Sequence, residues 1–484
     1  MPFGPAQILL SALALAATSQ AAAPEPSGTI WYRIAADDGK ALGHASREIV
    51  AVEGGREIID SSEVRLQEMT DPTRRVIERT VTRQDAQGRV VSIAEHSRIG
   101  RSWSQIEAAI TPDLAVITRR TGSDRSTMRV PLPAGVRFDG GEGLLAGWDM
   151  AAAPRLEFEN FNLDAMLVER VTIEAPPGAA PGPEGWVDVI RKRYDGDELR
   201  TVARLTLDRD RRILAFAQPM FGTTIVTRMT DRETALRPHP SYHVLANMMV
   251  RMPFRMPATA VQGHIRYRFS FRDGIAFAPP QTGEQRIAAR PDGVVMDICA
   301  SCGPGLPADP EYLAHALRST PWLQSEDHRI RAIAQPVAMS RFNQTRKMEM
   351  LLERAKPYMG DVDFAGHFSA VETLSRRSGD CTEAAVLLAA LGRSAGIPTR
   401  VVSGLVYSRE RYHGTTNAFM PHSWVVAYVD GRWKSFDLAL ERFDSSHIVL
   451  TVGDGDARSI MAAAQLASLL NFEEVVEVRR RPPA

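Results

Sequence analysis

Apolar and polar residues alternate along much of the first half of the chain. Val187-Asp-Val-Ile-Arg-Lys-Arg-Tyr194 and Leu199-Arg-Thr-Val-Ala-Arg-Leu-Thr-Leu207 both alternate, and Asp195-Gly-Asp-Glu198 between them is a hairpin signal. Val90 to Ser97 follows the turn Asp85-Ala-Gln-Gly88 in the same way. Alternation gives each strand one wet face, which argues for antiparallel sheet. It predicts a β-rich domain over residues 24–236, with the Pro/Gly-rich run Ala175–Pro183 as a loop inside it. The Met- and Pro-rich residues 237–260 read as a connector, and 261–309 as a small β unit with a hairpin signal at Asp292-Gly293.

After Pro310 the period changes. Leu313–Leu317, Ile330–Ala334 and Met348–Ala355 place apolar residues three and four apart, which predicts helices. Further on, Thr399–Tyr407, His422–Val429 and Arg432–Leu438 read as strands. Residues 310–484 therefore form a mixed domain, and the fold class expected is α+β with an antiparallel β-rich region in front. A chain of 484 residues is long enough for two to three domains.

Composition narrows the function classes. Fifty-eight Lys+Arg balance 58 Asp+Glu, which removes the electrostatic case for nucleic-acid binding. Three cysteines in so long a chain cannot make a disulfide scaffold. Met1 to Ala23 carries no charged side chain and holds a short apolar core at Ile8–Ala17, ahead of Ala21-Ala-Ala23 and Pro24. This fits a secretory signal at residues 1–23, cleaved or retained as an anchor, although its n-region lacks Lys and Arg. The expectation is export to a periplasmic or extracellular compartment, with no later transmembrane segment. Oligomeric state is not readable.

The concentrated chemistry lies in Ser378-Gly-Asp-Cys-Thr-Glu-Ala-Ala-Val-Leu-Leu-Ala-Ala-Leu-Gly-Arg-Ser-Ala-Gly-Ile-Pro398. Asp380 is a good N-cap, and Gly396 and Pro398 supply the stop. Cys381 then opens the helix, where the dipole and free N–H groups favour a thiolate and could serve an oxyanion. The competing reading of Cys381 is a small buried apolar residue. Asp430-Gly431 is a two-residue hairpin turn. Pairing Val429 with Arg432 sets Trp424 opposite Asp437 and His422 opposite Ala439. His422 and Asp437 then share a face one diagonal step apart, roughly 7–8 Å between backbones, so Asp437 can hold one imidazole nitrogen and leave the other for a thiol.

At these residues the chain resembles the transglutaminase-like superfamily, with its papain-type Cys-His-Asp arrangement. The matching pieces are Ser378–Ala385, Gly396-Ile-Pro-Thr-Arg-Val-Val-Ser-Gly-Leu405, His422-Ser-Trp424, Trp433-Lys-Ser-Phe-Asp437 and the lead-in Phe368–Leu374. The resemblance runs over about Pro310 to Asp454. It implies a papain-like transglutaminase core, with Cys381 as nucleophile, His422 as general base and Asp437 as orienting acid. It implies no cofactor and no metal, and a protein, peptide or peptidoglycan-derived amide as substrate. The upstream oxyanion-supporting Trp of animal transglutaminases has no counterpart in matching context, the nearest being Trp322, and their calcium-binding segments are absent. Calcium-activated crosslinking is therefore not implied. The function expected is thiol acyl chemistry on an amide through a thioester, by a protease, amidase or transglutaminase. The alternative is a non-catalytic cell-envelope binding protein with a vestigial core.

Smaller signals read as structural. Cys299-Ala-Ser-Cys302 could be a redox pair, half a zinc site or a disulfide. Gly303-Pro-Gly305 argues against the first and the lack of a second ligand pair against the second, leaving a short-loop disulfide as the expectation. Gly140–Gly143 and Gly453–Asp456 read as turns. His447 reads as a surface or satisfied histidine, and Met248, Met249, Met252 and Met256 as packing or connector residues. Glu383 has no readable role.

Overall fold

The computed structural model describes residues 28–67, 74–100, 102–121, 124–176, 182, 184–220, 223–243, 249–360, 367–409 and 415–478. The expected leader, most of the 175–183 loop and Met248 lie outside them. Two compact units divide the chain between Val244 and Leu245.

In the first unit the described residues form one 15-stranded sheet. Eight strands from Ile30–Ala36 to Asp124–Pro131 make one antiparallel meander, and six from Arg155–Asn162 to Thr223–Thr230 make a second. Pairing of Ile30–Ala36 with Thr223–Thr230 joins the two. Both hairpins read from the sequence are present, as Val187–Asp195 with Glu198–Leu207 and as Arg74–Asp85 with Val90–Ile99. Ser62, Glu78 and Glu95 come from three neighbouring strands and Asn162 and Arg193 from the other end of this order, yet all line one cavity, so the sheet curls on itself. One stretch of the inner face packs Trp148, Ile173, Val189 and Leu205, and another is polar. There the Arg47 guanidinium reaches Asp60 at 2.7 Å and Glu142 at 3.0 Å. The Gly140–Gly143 turn is cinched by Asp139, which accepts from the Gly141 and Gly143 amides.

The second unit builds on helices α1 (Ala370–Arg376), α2 (Cys381–Ser394) and α3 (Ala457–Ser468) and strands β1 (Thr399–Ser408), β2 (Ala418–Val429), β3 (Arg432–Phe436) and β4 (Ile448–Gly453). β2 pairs antiparallel with β1 and β3, and β4 pairs with the far side of β1. Helix α2 is apolar almost all round, which places it inside the unit. It packs against β2 and the helices His328–Ala338 and Gln344–Ala355, and every residue from Cys381 to Arg393 is buried.

A second, four-stranded sheet holds Ile265–Phe271, Gln285–Arg290 and Gly293–Ile298, and draws its fourth strand, Leu470–Glu477, from the other end of the unit. It buttresses the β2–β3 hairpin. A Cβ on Gly283 would lie 2.1 Å from the Trp433 carbonyl oxygen, so only glycine allows this approach. Next to it, the Glu284 carboxylate accepts from the Ser435 N–H (2.8 Å) and hydroxyl (3.2 Å). The Gln285 carboxamide takes the Val449 N–H at 2.8 Å and donates to the Val449 carbonyl at 2.9 Å.

The expected Cys299–Cys302 disulfide is not formed, and both thiols are free. Cys302 Sγ instead lies against the carbonyl oxygens of Glu284 (3.2 Å) and Asp297 (3.4 Å). Burial, and then the neighbouring Cys299 thiol, push the Cys302 pKa up to about 12.

Candidate active site

Helix α2 begins where the sequence places it. Asp380 is extended, and its side chain accepts from the Thr382 N–H at 2.7 Å within a complete capping box with Glu383. Glu383, unassigned from sequence, ties this start to the preceding segment. Its Oε2 accepts from the Asp380 N–H (2.9 Å) and its Oε1 from the Phe368 N–H (3.1 Å). The cap thus engages the Thr382 and Glu383 amides and leaves that of Cys381 available. Trp322 is buried close by, its ring 4.3 Å from His367, and His367 faces Glu383.

The hairpin has the register set by the Asp430-Gly431 turn: Val429 pairs with Arg432 and Val425 with Phe436. Continuing that register brings the two predicted side chains into contact, with His422 Nε2 2.6 Å from Asp437 Oδ2. Both are fully buried, and His422 Nδ1 has no hydrogen-bond partner. Cys381 meets the same strand one residue on, where the Ser423 N–H reaches its sulfur. The fold therefore gathers all three predicted residues in one place.

Sequence reasoning missed a second imidazole. Of the two expectations for His447, surface or satisfied, the second holds: it is buried, and its Nε2 lies 3.2 Å from the same Asp437 Oδ2. Its Nδ1 faces the carbonyl (3.0 Å) and carboxylate (3.3 Å) of Asp444. The other Asp437 oxygen accepts from the Ala439 (2.8 Å) and Leu440 (3.0 Å) amides, so the carboxylate is held on every side. Trp424 stacks beside His422 and meets His447 edge-on, and its indole N–H donates to Ser435 Oγ at 3.3 Å. Only the ten-residue gap after Asp437 could have pointed to His447, and spacing of that kind is not specific.

Charge follows from these contacts. Burial disfavours a charged Asp437, but His422 and His447 outweigh it and hold the carboxyl well below the usual range. Burial also opposes a charge on His447, yet the hydrogen bonds to Asp437 and Asp444 push its pKa up to about 9. His422 goes the other way: burial pulls it below 6.5 against the attraction of Asp437, and the charge on His447 adds to the lowering. Burial pushes the Cys381 thiol up, and the Asp380 carboxylate adds to this. The thiolate expected from the helix start is thus not the resting form. A helix terminus contributes about 0.3–1 kcal/mol, whereas full burial moves a titratable group by up to about 3–5 pKa units.

His422, Asp437 and His447 are close enough together to hold a cation. The 2.6 Å contact and the charged His447 describe instead a hydrogen-bonded imidazole–carboxylate–imidazolium.

The sequence model of the transglutaminase-like superfamily matches residues 331–438. Residues 331–438 are a transglutaminase-like core. The match holds Cys381, His422 and Asp437 and ends one residue beyond the last. With it, the fold is α+β, a transglutaminase-like core behind a large antiparallel sheet. His447 and α3 lie past the matched segment. No curated protein matches the chain. Among solved structures, a β-barrel-like protein of a domain of unknown function from Brucella abortus is 14% identical, with a TM-score of 0.33, over 42% of this chain and 95% of its own. A putative cysteine protease from Cytophaga hutchinsonii is 15% identical (TM-score 0.27; 45% and 84%). The periplasmic domain of TgpA from Pseudomonas aeruginosa, bound to ethylmercury, is 18% identical (TM-score 0.28; 40% and 89%).

Proposed function

We propose that the transglutaminase-like core cleaves an amide or peptide bond through a thioester on Cys381. The observation that carries this reading is the state of His422: one nitrogen fixed on Asp437, the other buried and unpaired beside the strand that meets the Cys381 sulfur.

At rest the pair is a thiol and a neutral imidazole. As the sulfur attacks the amide carbon, its proton passes to His422 Nδ1, and Asp437 stabilises the imidazolium through Nε2–H. The carbonyl π electrons move onto oxygen, where the Cys381 N–H and the α2 dipole favour the oxyanion. Collapse breaks the C–N bond, and the amine leaves with the proton from Nδ1. Water then attacks the thioester, with His422 again as base, to release the acid and restore the thiol; an amine in place of water would give acyl transfer. We favour water because no crosslinking-specific feature is present.

The substrate proposed is a protein, peptide or peptidoglycan-derived amide outside the cytoplasm, with residues 1–23 as the export signal. Among the described residues no helix is long and apolar enough to cross a membrane.

Two measurements test the reading. Iodoacetamide labelling followed by peptide mass spectrometry separates Cys381 from Cys299 and Cys302; Cys381 should react faster in the native chain than in His422→Ala. Equal rates would count against the enzyme and in favour of a binding protein with a vestigial core. Peptides and peptidoglycan fragments incubated with wild type or Cys381→Ala should show new termini only with wild type, whereas joined lysine amides would indicate transfer.

A further inference from the structure

We propose that Glu78, Glu95 and Asp164 form a site for a hard divalent cation of calcium type inside the N-terminal sheet. Ligating atoms of the three carboxylates lie within 4.8 Å of one another. Two of them are placed by the ladder. Glu78 pairs with Ser97 and Thr80 with Glu95, so the two glutamates are diagonal neighbours on one inner face. The third comes from the turn between Arg155–Asn162 and Leu167–Glu174.

Like charges so placed destabilise a sheet unless something opposes them. Among the described residues no basic side chain does. The charges acting on Glu78 are Asp164 and Asp60, and those on Glu95 are Asp164 and Glu78. The nearby cations are engaged elsewhere: Arg47 with Asp60 and Glu142, and Arg193 with Glu169 at 2.9 Å.

Ser62 gives an independent sign of a missing partner. It is only 8% exposed, pairs directly with Glu78 in the ladder, and lines the same cavity of about 90 Å³. Its hydroxyl oxygen has no hydrogen-bond partner. A buried polar atom left unmatched carries a desolvation cost that coordination would remove. The donors are all oxygens, which suits calcium, with its flexible shell of six to eight oxygens at about 2.3–2.6 Å, rather than zinc or copper. The cavity leaves room for waters to complete the shell.

The competing account is that protons hold the carboxyls together, and calorimetry decides between the two. The full-length chain, stripped with EDTA, is titrated with CaCl2 and separately with MgCl2. The expected result is one Ca²⁺ per chain at about 10⁻⁴–10⁻³ M, the range of extracellular calcium modules, with a rise in Tm and weaker uptake of Mg²⁺. Glu78→Gln/Glu95→Gln should lose the binding. Ser62→Ala, which keeps all three carboxylates, should weaken it less. Absence of Ca²⁺ uptake by the wild type overturns the proposal whether or not the variants fold. So does uptake that survives in the folded double variant.

Discussion

Replacing His447 by Gln tests whether the second imidazole on Asp437 carries a positive charge. The ring centres of His422 and His447 are 5.8 Å apart. At an effective dielectric constant of about 20, two unit charges at that distance repel by about 3 kcal/mol, which is about two pKa units. Gln can still donate an N–H to Asp437 but carries no charge, so His422 should titrate higher in the variant. The same substitution has a stability signature. The folded-state pKa of His447 is raised from 6.5 to about 9, so its protonation stabilises the fold fully below pH 6.5. That contribution, about 3 kcal/mol, is lost as pH rises through 9. Histidine ring ¹³C–¹H spectra read the His422 pKa directly, and urea unfolding on either side of the window reads the stability. An unchanged or lower His422 pKa in His447→Gln, with an unchanged pH dependence of unfolding, would refute the reasoning even if the variant lost activity.

Other consequences can be checked alongside it. Asp437→Asn should keep the fold by circular dichroism but lower kcat on the order of 10³–10⁴-fold, because an amide neither stabilises the imidazolium nor enforces its tautomer. An Ala inserted after Gly431 should turn Asp437 to the opposite face and abolish activity; full activity in a folded insertion variant would sink the triad. Gly283→Ala would drive a Cβ into the Trp433 carbonyl, and should lower stability by about 1–3 kcal/mol in urea unfolding, in the manner of an overpacked core. Because burial keeps His422 below 6.5, the acid limb of a kcat/KM profile should fall below that pH; a limb above it would contradict the neutral resting pair.

Local chemistry made the transglutaminase-like core legible. Asp380 and the apolar run behind it define α2, and Asp430-Gly431 fixes a register that carries His422 onto Asp437 without any knowledge of the rest of the fold. Long-range contacts were not legible. Nothing in Glu284 or Gln285 marks them as supports for Ser435 on β3 and Val449 on β4, 151 and 164 residues on, and Leu470–Glu477 gives no sign of pairing with Ile265–Phe271. In the N-terminal unit alternation found hairpins, but not the pairing of Ile30–Ala36 with Thr223–Thr230 that makes two meanders one sheet. The Cys381 protonation state was misjudged for a related reason: a helix start is visible in sequence, whereas the burial that outweighs it is set by elements elsewhere in the chain.

The Gln285 side chain has a consequence for the behaviour of the protein before and after folding. Ile448-Val-Leu-Thr-Val-Gly453 is β-prone, uncharged and free of proline, the composition that seeds cross-β association when its edge is bare. Among the described residues β4 is the outer strand of its sheet. By meeting both the N–H and the carbonyl of Val449, the carboxamide acts as a one-residue strand and denies an incoming chain that point of attachment. Gln285→Leu would strip this cover, and its first symptom should be concentration-dependent, thioflavin-positive aggregation during refolding rather than a loss of chemistry.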